Sequence, residues 1–219
     1  MAKKIICNSI TFLMMTSLST VAIAQCADST ASPCIKAKQS DPNRYYQEAY
    51  AFPIECDAEI TNAASAWANA GSYFNPVMNP LAPYYNGSYA PRIDGYQITF
   101  QPGAEMQPYP TANAITYYGS SVGSVSRPGD GVVIPVVSDA DTIINSDKYW
   151  SYTFECDDAT YTTKYDMART VAHEIGHWVA LNHSTNTACA TYQIGQMKPF
   201  VSLCAAEISA AKSLYGTRP

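Results

Sequence analysis

The chain has three histidines, and all of them lie between His173 and His183, with Glu174 directly after the first. On a helix, His173 and His177 would project from the same face, because residues four apart are neighbours there. Both imidazoles could then bind one metal ion. Glu174 is rotated by about 100° from His173, where it can reach a metal-bound water without binding the metal. Three imidazoles leave the fourth position of a zinc ion open for a water whose pKa falls to about 7.

The five-residue pattern from His173 to His177 is not enough by itself. An H-E-x-x-H sequence also occurs where the histidines are ordinary helix residues with satisfied hydrogen bonds. His183 lies six residues beyond His177, past one intervening turn, and the chain has no other histidine. We therefore predict a hydrolytic zinc site with His173, His177 and His183 as ligands and Glu174 as general base.

The N-terminus has the pattern of an export signal. Lys3 and Lys4 precede an apolar stretch from Ile10 to Ile23, and Ala22-Ile23-Ala24 is a suitable cleavage site. A membrane anchor is the alternative, but the run is short and interrupted, whereas a spanning helix needs about 20 apolar residues. We expect a signal peptide at residues 1–24 and a mature chain that is secreted or periplasmic.

The charge of the chain limits its partners. The net charge is −5 at neutral pH, and removal of the signal would make it more acidic. An acidic surface argues against nucleic acid or an anionic membrane as a partner. The length that remains is typical of one domain with a sizeable core. We expect an arm at residues 25–44, a single catalytic domain at 45–219 and a monomer.

Six of the seven cysteines lie outside the signal. An even number in an exported chain predicts up to three disulfides, whose connectivity has fifteen possibilities. Zinc binding by cysteine is the weaker alternative, since the chain has no C-x-x-C pair. The pairing that we favour joins Cys189 to Cys204, Cys26 to Cys34, and Cys56 to Cys156.

Two helices and several strands are predicted to carry these residues. A helix capped by Asp57 runs to Gly71, and the helix of the histidines begins between Thr163 and Asp166. Strands are expected at Gly95–Phe100, Ala114–Tyr118, Val132–Val137, Thr142–Asn145 and Tyr149–Phe154. The apolar residues expected on the core face of the histidine helix are Met167, Val171, Ile175 and Trp178. A final helix is predicted from Ala205 to Tyr215, where Gly216 would stop it.

The segment from Asp166 to Ser184 resembles the active-site segment of the matrixins, the matrix-metalloproteinase branch of the metzincin zinc peptidases. Beyond it, Met197-Lys-Pro-Phe200 is similar to the Met-turn of that branch. The C-terminal part, from Leu203 through Leu214-Tyr215-Gly216, is similar to the end of matrixin catalytic domains.

This resemblance implies an α+β fold with a twisted, mostly parallel sheet, an active-site helix, a C-terminal helix, and a cleft between upper and lower parts. It implies one catalytic zinc ion, with Met197 packed beneath its ligands. The alternative for a lone methionine is ordinary core filling. Protein or peptide substrates would lie along an edge strand of the sheet, which we expect between Ser121 and Val137.

Two departures from the family pattern are visible. Ala180 stands where the metzincin pattern has glycine, and a left-handed conformation there would cost alanine about 1 to 2 kcal/mol. No histidines remain for a second zinc ion, so a second metal would have to be calcium on oxygen ligands. The candidates, by residue type only, are Asp139, Asp141, Asp157 and Asp158. Solvated surface carboxylates are the alternative interpretation.

The sequence leads to one main hypothesis and two alternatives. The main hypothesis is an exported zinc endopeptidase that hydrolyses protein substrates, with Glu174 as general base. The first alternative is a secreted binding protein, of adhesin or inhibitor type, that keeps the scaffold and the zinc without turnover. Ala180 favours that alternative, whereas Glu174 argues against it, because a protein that only holds zinc needs no base. The second alternative is a secreted structural domain without metal.

Overall fold

A computed structural model describes ten stretches of the chain. They are residues 38–39, 43–48, 57–78, 96–118, 121–126, 131–137, 139–148, 150–151, 165–192 and 202–219. Met197, Asp157, Asp158 and the four cysteines of the other two expected disulfides lie outside these residues. None of the helices in the described stretches is both long and apolar enough to cross a bilayer.

Ten strands and three α-helices form the described fold. The strands are β1 (Lys38–Gln39), β2 (Asn43–Glu48), β3 (Asn75–Met78), β4 (Tyr96–Gln101), β5 (Ala114–Tyr118), β6 (Ser121–Ser126), β7 (Val133–Val137), β8 (Ala140–Asn145), β9 (Trp150–Ser151) and β10 (Tyr165–Asp166). The helices are α1 (Asp57–Ala68), α2 (Met167–Trp178) and α3 (Ala205–Tyr215), and a 3-10 turn covers Gly103–Glu105.

The main sheet has five strands in the order β3-β2-β4-β8-β5. Its first three pairings are parallel, and only β5 runs antiparallel to its neighbour β8. In that last pairing Thr116 lies opposite Thr142. A mostly parallel sheet combined with three helices confirms the predicted α+β fold class.

The hairpin β6–β7 is not part of the main sheet. It pairs with β1 in a separate three-stranded sheet, in the order β1-β7-β6. The expectation that the region from Ser121 to Val137 supplies the edge of the main sheet is therefore wrong. Among the described residues the two edge strands of the main sheet are β3 and β5, and β5 is the one that lies next to β8.

The main core contains side chains from the main sheet and from all three helices. The indole of Trp67, on α1, donates from Nε1 to the carbonyl of Ala172 on α2 at 2.9 Å. A Cβ added to Gly176 would lie 3.3 Å from Trp67 and only 2.4 Å from Cγ2 of Thr191. The lack of a side chain at Gly176 therefore lets α2 pack closely against α1 and against the segment around Thr191.

Most element predictions are confirmed within a few residues. Gly71 has φ +73° just beyond α1, as expected of a glycine that ends a helix. β5 and α3 have the predicted bounds. Of the strand expected at Tyr149–Phe154, the described part is β9. Strands β1 and β2 begin within the segment that we expected to be an arm, at Lys38 and Asn43.

Candidate metal centre

Helix α2 positions two of the three histidines. Asp166 caps its N-terminus by accepting a hydrogen bond from the backbone N–H of Arg169 at 2.5 Å. The predicted core face is fully buried, at Met167, Val171, Ile175 and Trp178. This packing fixes the rotation of the helix about its axis, and with it the direction in which His173 and His177 project.

The chain leaves α2 through a left-handed turn at Ala180, which has φ +75°. The backbone N–H of Leu181 donates to the carbonyl of Gly176 at 2.9 Å, and that of Ala180 donates to His177 at 2.7 Å. These two bonds define a Schellman motif, in which the left-handed position is usually glycine. Alanine therefore does adopt the left-handed conformation at position 180, at a cost of about 1 to 2 kcal/mol.

Two tyrosine hydroxyls bind the last carbonyls around this turn. Tyr118, on β5, donates to the carbonyl of His177 at 2.5 Å, and Tyr215, on α3, donates to that of Val179 at 3.3 Å. Burial raises the pKa of Tyr118, and the nearby Tyr215 and Glu174 raise it further, so its hydroxyl stays a donor. Val137 and Tyr118 also pack against Ala180. These contacts stabilise a turn that alanine alone disfavours.

The three imidazoles meet on one side of α2. The ring centroid of His173 lies 4.8 Å from that of His177, and both lie 5.0 Å from the ring of His183. One ring nitrogen from each lies within 4.8 Å of the other two. The structure therefore brings together the three histidines that the sequence analysis selected.

Backbone carbonyls orient two of the rings. Nδ1 of His173 lies 3.0 Å from the carbonyl oxygen of Ala190, and Nδ1 of His177 lies 2.8 Å from that of Leu181. A carbonyl only accepts, so each Nδ1 carries the proton and each Nε2 presents a lone pair. Such an outer hydrogen bond is typical of histidines that bind metals.

The nitrogen geometry fits a metal ion. Nε2 of His173 and Nε2 of His177 lie 3.2 Å apart. With both protons on Nδ1 this contact cannot be a hydrogen bond, and two lone pairs facing each other repel unless a cation lies between them. Nitrogens bound to one tetrahedral zinc ion at 2.0 to 2.1 Å would lie about 3.3 Å apart. The Nε2 atoms of His173 and His177 therefore match the spacing that a zinc ion requires.

The carboxylate of Glu207 holds the loop behind His173. It is fully buried on α3 and accepts from the backbone N–H groups of Ala190, Thr191 and Cys204 at 3.1, 2.7 and 3.0 Å. It also accepts from the hydroxyl of Thr191 at 2.8 Å. Ala190 supplies the carbonyl that orients His173. By fixing the backbone of Ala190, Glu207 therefore helps to orient His173 without contacting it.

The same loop is also held by Arg169 and a disulfide. Nη2 of Arg169 donates to the carbonyls of Thr187 and Cys189 at 3.3 and 2.9 Å. Burial lowers the pKa of this guanidinium, and the nearby Asp166 and Glu207 oppose that change. Cys189 and Cys204 form a disulfide with their Cα atoms 4.8 Å apart, which confirms the pairing predicted for them.

Glu174 lies beside the histidines and is only 5% exposed. Its Oε2 accepts a hydrogen bond from the hydroxyl of Thr116, on β5, at 2.6 Å. The carboxylate therefore lies between the metal face of α2 and the edge strand of the main sheet. Sequence reasoning missed Thr116, because a threonine in a strand carries no signal of such a contact.

Within the described residues, one further group of potential metal ligands is found, and it consists of Cys189, Cys204 and Glu207. Its two sulfurs are bonded to each other, so they are not available to a metal. Asp139 and Asp141 are buried, but neither belongs to a group of three ligands there. The described part of the chain thus gives calcium no support.

Comparisons with known proteins agree with this geometry. A family model described as matrixin matches residues 98–216, which is more than half of the chain. A curated protein from Glycine max, Metalloendoproteinase 1, is 28% identical over 174 residues, which cover 79% of this chain and 52% of that protein. The chain thus spans about half the length of this relative.

Proposed function

Because the chain belongs to the matrixin family, we propose that it is a zinc-dependent endopeptidase that hydrolyses peptide bonds of protein substrates. One observation carries this proposal: three imidazoles converge beside a carboxylate that is oriented but not part of their cluster. The proposed ligands are His173, His177 and His183. The name of the relative from Glycine max supports the same reaction class.

The proposed mechanism assigns metal binding to the three histidines and proton transfer to Glu174. A zinc ion held by the imidazoles would polarise a carbonyl and lower the pKa of a water. Glu174 takes the proton of the attacking water and later donates it to the leaving amine, as general base and then general acid. The carbonyls of Ala190 and Leu181 keep Nδ1 of their histidines protonated, so that Nε2 stays available throughout.

The substrate is proposed to bind as an extended strand along β5. This strand is one of the two edges of the five-stranded sheet among the described residues, and it is the one whose Thr116 contacts Glu174. A peptide that pairs with β5 would form main-chain hydrogen bonds with it and pass next to the histidines. The contact of β5 with Glu174 supports this placement.

The remaining features of the proposal rest on the sequence. We infer export by the signal at residues 1–24 to a secreted or periplasmic location, a catalytic domain from about residue 45, one zinc ion, and a monomer. Met197 is proposed to lie beneath the ligands. These inferences are supported by the patterns in the sequence and by the family, to which the Met-turn belongs.

The second candidate is a binding protein that keeps the zinc but has lost turnover. The observation that favours it is the left-handed conformation of Ala180, a strained position three residues before His183. Its weakness is Glu174, whose carboxylate is oriented by Thr116 although zinc retention does not require a base. We therefore favour the endopeptidase.

The test compares the mature wild-type protein with Glu174→Gln on casein and on a peptide library, with bound zinc measured in both. We expect equal zinc content and a loss of cleavage of about 100-fold or more, since general-base catalysis contributes at least that factor. Glu105→Gln, the same change at an exposed glutamate of the 3-10 turn, is the matched control and should cleave normally. If both proteins bind zinc and neither cleaves any substrate, the protein is not a peptidase.

A further inference from the structure

Four side chains form a continuous run of hydrogen bonds between α2 and the strands next to it. Nε1 of Trp178 lies 2.9 Å from Oγ1 of Thr142, which lies 2.8 Å from Oγ1 of Thr116. Oγ1 of Thr116 in turn lies 2.6 Å from Oε2 of Glu174. We call this run, from Trp178 through Thr142 and Thr116 to Glu174, the indole–carboxylate chain.

The direction of every bond in the indole–carboxylate chain is fixed by its two ends. An indole N–H can only donate, and an ionised carboxylate can only accept. Thr116 has one hydroxyl proton and must use it on Glu174, so its oxygen accepts from Thr142. Thr142 then uses its own proton on Thr116 and accepts from Trp178. Each bond polarises the next, which strengthens the last one, to the carboxylate.

The elements that carry the chain give it little freedom to move. Glu174 and Trp178 are one turn apart on α2, and Thr116 and Thr142 lie opposite each other on β5 and β8. Trp178 and Thr142 are fully buried, and Glu174 nearly so. The four hydrogen-bonded side chains, one turn of α2 and one cross-strand pair thus form a closed ring that includes the carboxylate of Glu174.

From this geometry we propose that Thr116 is a positioning residue of the reaction: its hydroxyl, aligned by Thr142 and Trp178, fixes the carboxylate of Glu174 for proton transfer. This inference rests on the proposed function, because it assigns a role within the same site. Thr116 itself exchanges no proton with substrate. It limits the rotamers of Glu174, and proton transfer is efficient only when the base is held within hydrogen-bond reach of the water.

Zinc binding and substrate binding should not depend on this hydroxyl. His173 and His177 are oriented by the hydrogen bonds that they donate to the carbonyls of Ala190 and Leu181, which are outside the indole–carboxylate chain. The main chain of β5, proposed to pair with substrate, is unchanged by a side-chain substitution at Thr116. The predicted signature is therefore a fall in kcat with KM and the zinc dissociation constant unchanged.

The experiment compares Thr116→Val, which removes the hydroxyl and keeps the branched shape, with Thr116→Ser, which keeps the hydroxyl. We expect Thr116→Val to lower kcat by about 10- to 100-fold, as is typical of residues that orient an active group, and Thr116→Ser to restore most of it. Thr99→Val is the matched control: the Thr99 hydroxyl donates at 3.3 Å to the carbonyl of Thr142, outside the chain, and its loss should leave kcat unchanged.

A second readout does not depend on turnover. In a crystal structure of the metal-free Thr116→Val protein, we expect Glu174 to leave its wild-type position or to occupy more than one rotamer. An undisturbed Glu174 would overturn the inference.

Three further results would also overturn it. They are a wild-type kcat in Thr116→Val, a kcat that falls equally in Thr116→Ser, and a loss of zinc affinity that accompanies the fall in kcat. All of them require that the wild type cleaves peptides. If the wild type does not cleave peptides, the proposed function fails. The rotamers of Glu174 in Thr116→Val then still test whether the indole–carboxylate chain positions this carboxylate.

Discussion

The two parts of the candidate metal centre are stabilised in different ways. Helix α2 carries His173 and His177 and is held mainly by close apolar packing, with its core face fully buried. The segment that follows, residues 179–192, carries His183, and we call it the return segment. It contains no helix and a left-handed alanine, and it is held by the hydroxyl of Tyr215, the Glu207 carboxylate, Arg169 and a disulfide.

This difference shows where each kind of substitution will act. In α2 the cost of a change comes from altered volume, because close-packed interiors tolerate neither gaps nor overlaps. In the return segment it comes from polar groups left without partners, each of which costs about 1 to 3 kcal/mol when buried. The two parts meet where Gly176 faces Thr191, so a substitution there tests both.

The largest effect on stability is expected for Glu207→Ala, which removes a carboxylate on α3 that hydrogen-bonds to the return segment. The change removes the acceptor of four hydrogen bonds, donated by Ala190, Cys204 and, twice, Thr191. We expect the free energy of unfolding to fall by about 3 kcal/mol or more, since several buried donors lose their partner together. Urea denaturation measures this change.

Glu207→Gln is the control for that experiment. It keeps an acceptor oxygen in nearly the same volume and should lose less stability than Glu207→Ala. If Glu207→Ala lowers the free energy of unfolding by less than about 1 kcal/mol, hydrogen bonds to Glu207 do not stabilise the return segment.

The next effect is expected for Gly176→Ala, which tests packing in α2. Alanine favours a helix by about 1 kcal/mol over glycine, but its Cβ would lie 2.4 Å from Cγ2 of Thr191. We expect the overlap to dominate and the free energy of unfolding to fall by about 1 to 3 kcal/mol. Thermal or urea unfolding gives the value.

A second substitution identifies the cause of this loss. Thr191→Ser removes Cγ2 and keeps the hydroxyl that donates to Glu207. The double variant Gly176→Ala with Thr191→Ser should therefore lose less stability than the sum of the two single changes. Strict additivity would show that the close approach of the two parts does not limit residue 176.

The smallest effect is expected for Ala180→Gly. Glycine relieves the left-handed cost of about 1 to 2 kcal/mol, while the greater freedom of its unfolded chain costs about 0.5 to 1 kcal/mol. Loss of the buried methyl group of Ala180, which packs against Val137 and Tyr118, costs about another 0.8 kcal/mol. The net change in the free energy of unfolding should therefore lie close to zero. Ala188→Gly, at an exposed position of the same segment without positive φ, should instead lose stability. Equal losses in both variants would contradict the strain assigned to Ala180.

The same contrast explains how much of the site could be predicted from the sequence. The two histidines of α2 follow a local period, so their spacing alone places them on one face, and the core face from Met167 to Trp178 follows from the same period. Ala180 was identified by comparison with a pattern that has glycine there. Local rules of this kind also gave the bounds of β5 and α3.

Contacts between distant segments could not be predicted in this way. The helical period correctly places Trp178 in the core. It gives no sign that the indole also donates to Thr142 on β8. Thr116 reaches Glu174 only through the register of β5 on β8. Likewise, the position of β5 at the edge of the main sheet depends on strand order, which short hydrophobic patterns do not specify.

The most direct test of the central claim is the zinc content of the purified mature protein, measured by elemental analysis for the wild type and for His183→Ala. If the return segment delivers His183 to the ligands of α2, the wild type should bind about one equivalent of zinc, and His183→Ala should bind much less after the same dialysis. Less than about one-tenth of an equivalent in the wild type, or equal zinc in both proteins, would contradict a three-histidine zinc site.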